Sequence, residues 1–277
     1  MKQERRMRYV LIGILSVCLL ITMVPIVWCI SLSFDHEAID RLPFPVSFWP
    51  HQPSIGNFLY AFDRLPLFRQ FFNTLVITIS NTVISVFTAL MCGYAFAKGN
   101  FFLKKFWFLF ILAVMMMPFE SRLVPLFLQY TSWGMNNTYW PMIINGFVYS
   151  YGIYFARQNI STNIPDSLRE SAYIDGAHEW RIFFTIIVPL SGPLIATLCI
   201  LQVLANWNSY LLPLVIISDT KKQVISVGVS LFNSAMDSIY YGPRMSVALI
   251  SSIPLTILFL FFQRYIVQSI AVSGIKQ

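Results

Sequence analysis

Six apolar runs of about 20 residues or more constrain the fold of this chain more than any other feature. They cover residues 9–34, 71–97, 106–130, 140–158, 186–217 and 244–267. A helix of about 20 apolar residues is long enough to cross the hydrocarbon core of a bilayer. Charged residues make up only 11% of the 277 residues, whereas soluble domains carry about 25%. The sequence therefore predicts an all-α, polytopic membrane protein with six transmembrane helices.

The first run has a competing interpretation as a signal peptide. A signal peptide has an apolar core of about 7–15 residues followed by small residues at a cleavage site. The run at 9–34 is longer and ends with Trp28, Cys29 and Ile30. We therefore expect an uncleaved first span.

Basic residues predict the orientation of the chain. They are concentrated before the first run and in the turn between the second and third runs, at Lys2, Arg5, Arg6, Arg8, Lys98, Lys104 and Lys105. Lys and Arg accumulate on the cytoplasmic side of membrane spans. With six spans, this distribution predicts that both termini are cytoplasmic. The net charge of +7 is thereby explained without nucleic acid, and the aromatic and basic stripe of an RNA-binding surface is missing.

One polar stretch, residues 163–193, predicts two short helices between spans. Pro165 suits the first position of a helix, and Asp166 then lies in the first turn, where the helix dipole favours a carboxylate. Leu168, Ala172 and Tyr173 have helical spacing. Gly176 is the residue type that ends helices, because it readily adopts the left-handed backbone conformation. The stretch predicts a helix over 165–174, a tight turn, and a second helix starting near residue 178.

The same stretch resembles the cytoplasmic coupling loop, or EAA loop, of binding-protein-dependent ABC importer permeases. The family pattern is Glu-Ala-Ala, three residues, Gly, nine residues, then Ile-x-Leu-Pro. The matching residues here are Glu170-Ser171-Ala172, Gly176, Ile186 and Val188-Pro189. Ser171 and Val188 depart from the pattern by small changes of volume. Further segments resemble the carbohydrate branch of the family, closest to the second permease subunit of maltose-type and glycerol-3-phosphate-type importers: Met117-Pro118, Val124-Pro125-Leu126, Trp207-Asn208, Pro213-Leu214 and residues 262–265.

The resemblance implies a type I ABC importer permease fold and a set of partners. Residues 1–69 would form the first span and an external loop. Residues 70–267 would form the transmembrane domain with the coupling loop at 163–190, and 268–277 a cytoplasmic tail. A second, non-identical permease subunit, two ATPase subunits and an extracytoplasmic solute-binding protein would assemble with the chain in the lipid of a bacterial or archaeal cytoplasmic membrane. The residues expected to couple to the ATPase are Glu170, Ser171, Ala172, Asp175, Gly176 and Ala177.

Polar residues within the apolar runs indicate candidates for a carbohydrate path. Trp207 and Asn208 pair an aromatic face with an amide, a combination suited to sugar rings and hydroxyls, although Trp also gathers at membrane interfaces without binding anything. Glu120 is a costly charge within a span, and we expect a partner for it inside the helix bundle. The other amides are expected to form hydrogen bonds between helices, at Asn73, Asn81, Asn145, Gln202 and Asn206.

The sequence lacks the motifs of an enzyme. It contains no phosphate-binding Gly-x-x-x-x-Gly-Lys-Ser/Thr, no Gly-x-Ser-x-Gly and no His-Glu-x-x-His. Its four cysteines and three histidines are scattered and lack metal-ligand spacing. No catalytic residue, cofactor or metal is expected. The alternatives to an ABC permease are a membrane-embedded enzyme, which needs converging ionisable residues, and a secondary transporter or channel driven by an ion gradient.

Overall fold

The computed structural model describes residues 2–39, 42–45, 47–235 and 240–274, and this part of the chain is helical without β-strands. Side chains are described for 6–39, 42–45, 47–230 and 240–260. The helices are α1 (Lys2–Ser33), α2 (Gly56–Arg64), α3 (Leu67–Lys98), α4 (Lys104–Met116), α5 (Phe119–Ser132), α6 (Trp140–Ile144), α7 (Ser150–Asn163), α8 (Asp166–Ile174), α9 (Glu179–Ile182), α10 (Val188–Leu190), α11 (Gly192–Trp207), α12 (Leu211–Ile216), α13 (Ile225–Ala235) and α14 (Tyr241–Gly274). The predicted all-α class is confirmed.

Three helices in the described residues are unbroken and apolar enough to cross a membrane: Arg6–Ser33, Leu67–Lys98 and Tyr241–Leu260. Two further candidates are bent pairs, with bends of 102° between α4 and α5 and of 79° between Glu179–Leu190 and α11. The first bend has a local cause. Met117 precedes Pro118 and is extended, with ψ 123°, because a proline disfavours the helical conformation of the residue before it.

The predicted fourth span, 140–158, is not one continuous helix. It consists of α6, a 3₁₀ turn at Asn145–Phe147, and α7, which starts at Ser150 and continues to Asn163. Val148 and Tyr149 between them have ψ values of 69° and 77°, outside the helical range. Gly146 in the turn packs so closely on α3 that a Cβ there would lie 2.8 Å from Ser85 Oγ. The length of the run alone did not reveal this break.

The chain divides into two compact units, and residues 1–68 with 228–253 form the first. In this unit the amide of Asn57 donates to the carbonyl oxygens of Leu32, Ser33 and Asp35 at 3.1, 3.1 and 2.7 Å. These bonds fasten α2 to the end of α1. The apolar side chains along the rest of α1 are exposed, as expected of a helix that faces lipid or another subunit.

Residues 69–227 with 254–277 form the second unit, whose core lies between α3, α7, α9 and α11. Its buried members include Leu90, Ile160, Ile182 and Leu198. Gly93 of α3 faces α7, where a Cβ would lie 2.4 Å from Ala156 Cβ. Glycine thus allows these two helices to approach closely, as small residues do in membrane bundles.

Candidate functional site

The coupling segment, residues 163–190, begins with α8, whose C-terminus is a Schellman motif. The N–H of Gly176 donates to Tyr173 O and the N–H of Ala177 donates to Ala172 O, both at 2.9 Å, which is the bonding pattern of that motif. Gly176 has φ +75°, a conformation that costs other residues roughly 1 kcal/mol. The predicted helix, glycine turn and second helix are therefore present, although Pro165 is the N-cap rather than the first helical residue.

The second short helix, α9, begins after His178. The ring Nδ1 of His178 accepts a hydrogen bond from the backbone N–H of Arg181 at 3.1 Å, and this satisfies one of the free N–H groups at the start of the helix. A π-helical turn at Phe183–Ile187 then leads into α10. Hydrogen bonds between residues close in sequence therefore cap both the end of α8 and the start of α9.

Glu179, the first residue of α9, holds the coupling segment to α3. Its carboxylate accepts hydrogen bonds from Tyr94 Oη at 2.5 Å and from Arg169 Nη2 at 2.9 Å, and a further one from the hydroxyl of Tyr173. Arg169 also donates through Nη1 to Lys98 O at 2.8 Å. The bonds to Tyr94 and to Lys98 O both join the segment to the last two turns of α3.

Lys98 adds a second connection between the end of α3 and α8. Its Nζ lies 2.7 Å from both Asp166 Oδ1 and Ile164 O, and its side chain is buried. The hydrogen bond and charge of Lys98 lower the pKa of Asp166. Helix α8 is therefore bonded to α3 at its first residue, through Asp166, and at its middle, through Arg169.

The six predicted coupling residues occupy two different environments. Ala172 and Ala177 pack against the core of the second unit, so their small size serves contacts within this chain. Glu170, Ser171, Asp175 and Gly176 are exposed. The Ser171 hydroxyl donates back to Ser167 O at 2.8 Å, whereas the carboxylate of Glu170 forms no hydrogen bond with any described residue.

An apolar surface surrounds these exposed positions. Leu168, Ile174, Trp180 and Phe184 are all exposed, and Ile174 is 86% exposed. A cavity of about 240 Å³ opens beside Glu179 and Trp180, between them and the end of α3. Exposed apolar side chains concentrated in one short segment are typical of contact sites for proteins or membranes.

A larger cavity of about 570 Å³ lies in the second unit, among α3 to α7, α11 and α12. This volume falls within the range of about 300–1,000 Å³ that small-molecule sites have. Its polar lining consists of amides, hydroxyls and one guanidinium, at Asn81, Asn145, Gln202, Asn206, Asn208, Thr74, Ser150, Ser209, Tyr149, Tyr151, Tyr210 and Arg122. Aromatic rings beside amides suit the apolar faces and hydroxyls of sugars.

Two of the lining amides form hydrogen bonds between helices in the wall of the cavity. Asn206 Nδ2 donates to Asn81 Oδ1 at 2.9 Å, and Asn81 Nδ2 donates to Met142 O at 2.6 Å. The Ser85 hydroxyl also donates to Asn81 Oδ1, at 2.9 Å. These bonds join α3, α6 and α11, as expected of amides between packed helices.

The three residues predicted for the substrate path are not brought together. Asn208 lines the cavity, and its amide donates only to Leu204 O of its own helix, at 2.9 Å. Trp207 is 5% exposed and packs edge-on against Phe71, with ring centroids 5.4 Å apart, behind the lining. Glu120 is exposed on α5 and does not line the cavity. Among the described residues, none forms a hydrogen bond or an ion pair with the carboxylate of Glu120, as its predicted partner inside the bundle would.

The residues that sequence reasoning did not single out as site residues are Tyr94, Lys98, Arg169, Glu179 and Arg122. The first four form the bonds that hold the coupling segment. The sequence around them gave only a weak indication of this role, because Arg169 and Glu179 resemble the solvated charged residues of an ordinary loop. In the described part of the chain, no three His, Cys, Asp or Glu residues come together as metal ligands would.

The described residues thus combine apolar helices long enough to cross a membrane, a capped pair of short helices and a cavity with a polar lining. Residues 85–272 match the family of binding-protein-dependent transport system inner membrane components, and the chain belongs to that family. It is 33% identical over 262 residues to the arabinooligosaccharides transport system permease protein AraQ of Halalkalibacterium halodurans, covering 92% of each protein. It is 27% identical over 271 residues to the diacetylchitobiose uptake system permease protein NgcG of Streptomyces coelicolor, covering 97% of this chain and 89% of that protein.

A solved structure shares the fold. A chain of a bacterial ABC transporter involved in the import of the acidic polysaccharide alginate superposes with a TM-score of 0.80 at 20% identity, covering 96% of this chain and 98% of that one. The type I importer permease fold is therefore confirmed. The family match and the permease relatives confirm the prediction that the chain is a permease subunit and not itself an enzyme. None of these matches supports an ion-driven transporter or a channel.

Proposed function

We propose that this chain is one of two non-identical permease subunits of an ATP-driven importer of carbohydrates. The observation that carries the proposal is the cavity of about 570 Å³, lined by amides and aromatic rings, in a member of this permease family. The names of the two relatives, which carry arabino-oligosaccharides and diacetylchitobiose, support a sugar. A solute-binding protein outside the cell delivers the sugar to this cavity.

Asn208 is the residue of the predicted path that we expect to contact the sugar, because its amide faces the cavity and has one hydrogen bond to its own helix. Trp207 supports the wall from behind through Phe71. Glu120 lies on the same turn of α5 as Phe119 and Arg122, which do line the cavity. We assign Glu120 a contact with the second permease subunit along the path.

The coupling segment docks on a cytoplasmic ATPase, one of two copies in the importer. Glu170, Ser171, Asp175 and Gly176 form the exposed polar part of this docking surface, and Leu168, Ile174, Trp180 and Phe184 form its apolar part. Ala172 and Ala177 hold the segment against its own core. Because Glu179, Arg169 and Lys98 bond the segment to α3, a displacement of α8 by the ATPase is transmitted to a transmembrane helix.

The orientation follows from the same assignment. The coupling segment, both termini and the basic turn at 98–105 lie in the cytoplasm of a bacterium or archaeon, and the chain spans its cytoplasmic membrane. A reporter enzyme fused after Gln277 that is active only in the cytoplasm tests this orientation. Activity of an exported reporter at the same position would refute it.

Reconstitution tests the transport function. The importer, purified through a tag on this chain together with the subunits that accompany it, is placed in liposomes with ATP inside and labelled oligosaccharides outside. We expect uptake that requires both ATP and the solute-binding protein. Uptake driven by a sodium or proton gradient without ATP would contradict the proposal and support the ion-driven alternative.

A further inference from the structure

The 570 Å³ cavity contains a single charged side chain among the lining residues that the structure describes. Arg122, in the first turns of α5, supplies it, and the other polar lining residues are neutral amides and hydroxyls. A guanidinium stays protonated at any physiological pH. The cavity therefore presents a permanent positive charge to whatever enters it.

Arg122 has no acidic partner in the described part of the chain. It takes part in none of the ion pairs there, and its buried Nε atom has no hydrogen-bond acceptor. Its nearest aromatic contact is the ring of Phe119, whose centroid lies 5.8 Å from the guanidinium carbon. Glu120 is close in sequence but is exposed and lies outside the cavity lining.

The position of Arg122 does not favour folding. A cation near the N-terminus of a helix opposes the helix dipole, and a charged side chain in a membrane-spanning segment is costly to insert. Such charges mark substrate pathways when they face a water-filled cavity. The half-buried guanidinium of Arg122 meets that description, because it lines the cavity while its Nε remains unbonded.

We propose that Arg122 is an anion subsite of this cavity and that the importer carries an acidic carbohydrate, whose carboxylate or phosphate the guanidinium binds. The inference rests on the proposed function as a carbohydrate importer and adds the charge class of its substrate. A guanidinium donates two parallel hydrogen bonds to a carboxylate or phosphate. Asn208, Tyr149 and Tyr210 line the same cavity, and in this proposal their amide and hydroxyl groups bind the sugar hydroxyls.

The test compares three substrates in the intact, reconstituted importer. The probes are trigalacturonate, which carries carboxylates, galactose 6-phosphate, which carries a phosphate, and neutral galactotriose. Each is measured as ATP-dependent uptake by the wild type, Arg122→Gln, Arg122→Lys and the control Arg64→Gln. Arg64 is exposed on α2 and is not among the cavity-lining residues, so the control makes the same chemical change elsewhere.

We expect the wild type to take up an acidic probe in preference to galactotriose, and the two acidic probes to show which anion is carried. Arg122→Gln lowers kcat/KM for that acidic probe by about 10- to 100-fold, since hydrogen bonds to charged groups are worth about 1.5–3 kcal/mol. Arg122→Lys keeps the charge and retains part of the uptake. Arg64→Gln leaves the ratio of acidic to neutral uptake unchanged.

Four results overturn the proposal. Uptake of galactotriose alone by the wild type refutes the acidic substrate but leaves the carbohydrate importer standing, whereas no ATP-dependent uptake of any sugar refutes both. Equal uptake of acidic probe by Arg122→Gln and wild type excludes Arg122 as the subsite. Failure of both Arg122 variants to assemble with the second permease shows instead that Arg122 serves the contact between subunits.

Discussion

The hydroxyl of Tyr94 donates a hydrogen bond of 2.5 Å to the carboxylate of Glu179, and this bond joins the end of a membrane-spanning helix to the start of α9. The same carboxylate accepts from Arg169 of α8. Glu179 is therefore the point where α3, α8 and α9 meet. In the proposed coupling role, a displacement of α8 would therefore act on α3 through these side chains.

Replacement of Glu179 by Gln should loosen this junction. The amide cannot form a charged pair with Arg169, and its NH₂ group takes the place of one accepting oxygen. Because Glu179 is half exposed, we expect a loss of only about 1–2 kcal/mol of stability, together with weaker stimulation of ATP hydrolysis by the solute-binding protein. Thermal unfolding in detergent and ATPase assays of the importer measure the two effects. Glu170→Gln, which removes an exposed carboxylate without such bonds, should leave the unfolding temperature unchanged; an equal drop in both variants would rule out a special role for Glu179.

Substitutions at Gly176 should separate backbone strain from steric contact. No heavy atom lies within 4 Å of the position that a Cβ would take there, so only the positive φ is costly. Gly176→Ala and Gly176→Leu should each destabilise the chain by roughly 1 kcal/mol, and Gly176→Asn by less, since Asn tolerates this conformation. Thermal unfolding of the isolated permease provides the measurement. A much larger loss of stability for Gly176→Leu than for Gly176→Ala would show that another part of this chain already covers the surface at residue 176.

Gly93 should tolerate no larger residue, because it sets the spacing of α3 and α7. Gly93→Ala places a methyl group 2.4 Å from Ala156 Cβ, and such overpacking typically costs about 1–3 kcal/mol. Gly13→Ala is the matched control in another membrane helix, where nothing lies within 4 Å. Comparison of the two unfolding temperatures tests the prediction, which fails if Gly93→Ala is as stable as Gly13→Ala.

Asn206 and Asn208, two residues apart, should respond differently to replacement by Ala. Asn206 bonds to Asn81 between helices, so its loss should lower stability by about 0.5–1.5 kcal/mol. Asn208 faces the cavity, and its replacement should reduce uptake of the transported sugar without changing the unfolding temperature. Uptake by proteoliposomes and thermal unfolding are measured on both variants. Unchanged uptake kinetics in Asn208→Ala would remove this residue from the path.

The ion pair of Lys98 and Asp166 should make the stability of the folded chain depend on pH. Lys98 lowers the pKa of Asp166 in the folded chain, so the stabilisation is complete above the unfolded-state pKa of about 3.9 and is lost as the pH falls through the lower folded-state pKa. Asp166→Asn should therefore unfold at a lower temperature than the wild type at pH 7, with the difference shrinking towards pH 3. Asp63→Asn on α2 is the control. A difference between Asp166→Asn and wild type that stays constant with pH would contradict the assignment.

Local features of this protein were determined by its sequence. The apolar runs predicted helices because a backbone in lipid must satisfy its own hydrogen bonds, and Gly176 predicted the turn after α8 because the left-handed conformation favours glycine. Both signals depend on neighbours within a few residues. The resemblance to the EAA loop predicted the position of the coupling segment for the same reason, because the motif depends on spacing within about 20 residues.

Tertiary structure alone decided which residues meet. Tyr94 and Glu179 are 85 positions apart, and nothing in either neighbourhood indicates that one donates to the other. Gly146, beside the break in the run at 140–158, packs against α3, and Arg122, which follows the 102° bend between α4 and α5, lines the cavity. Periodicity and composition describe the one-dimensional chain, whereas these contacts depend on how separate helices pack against one another.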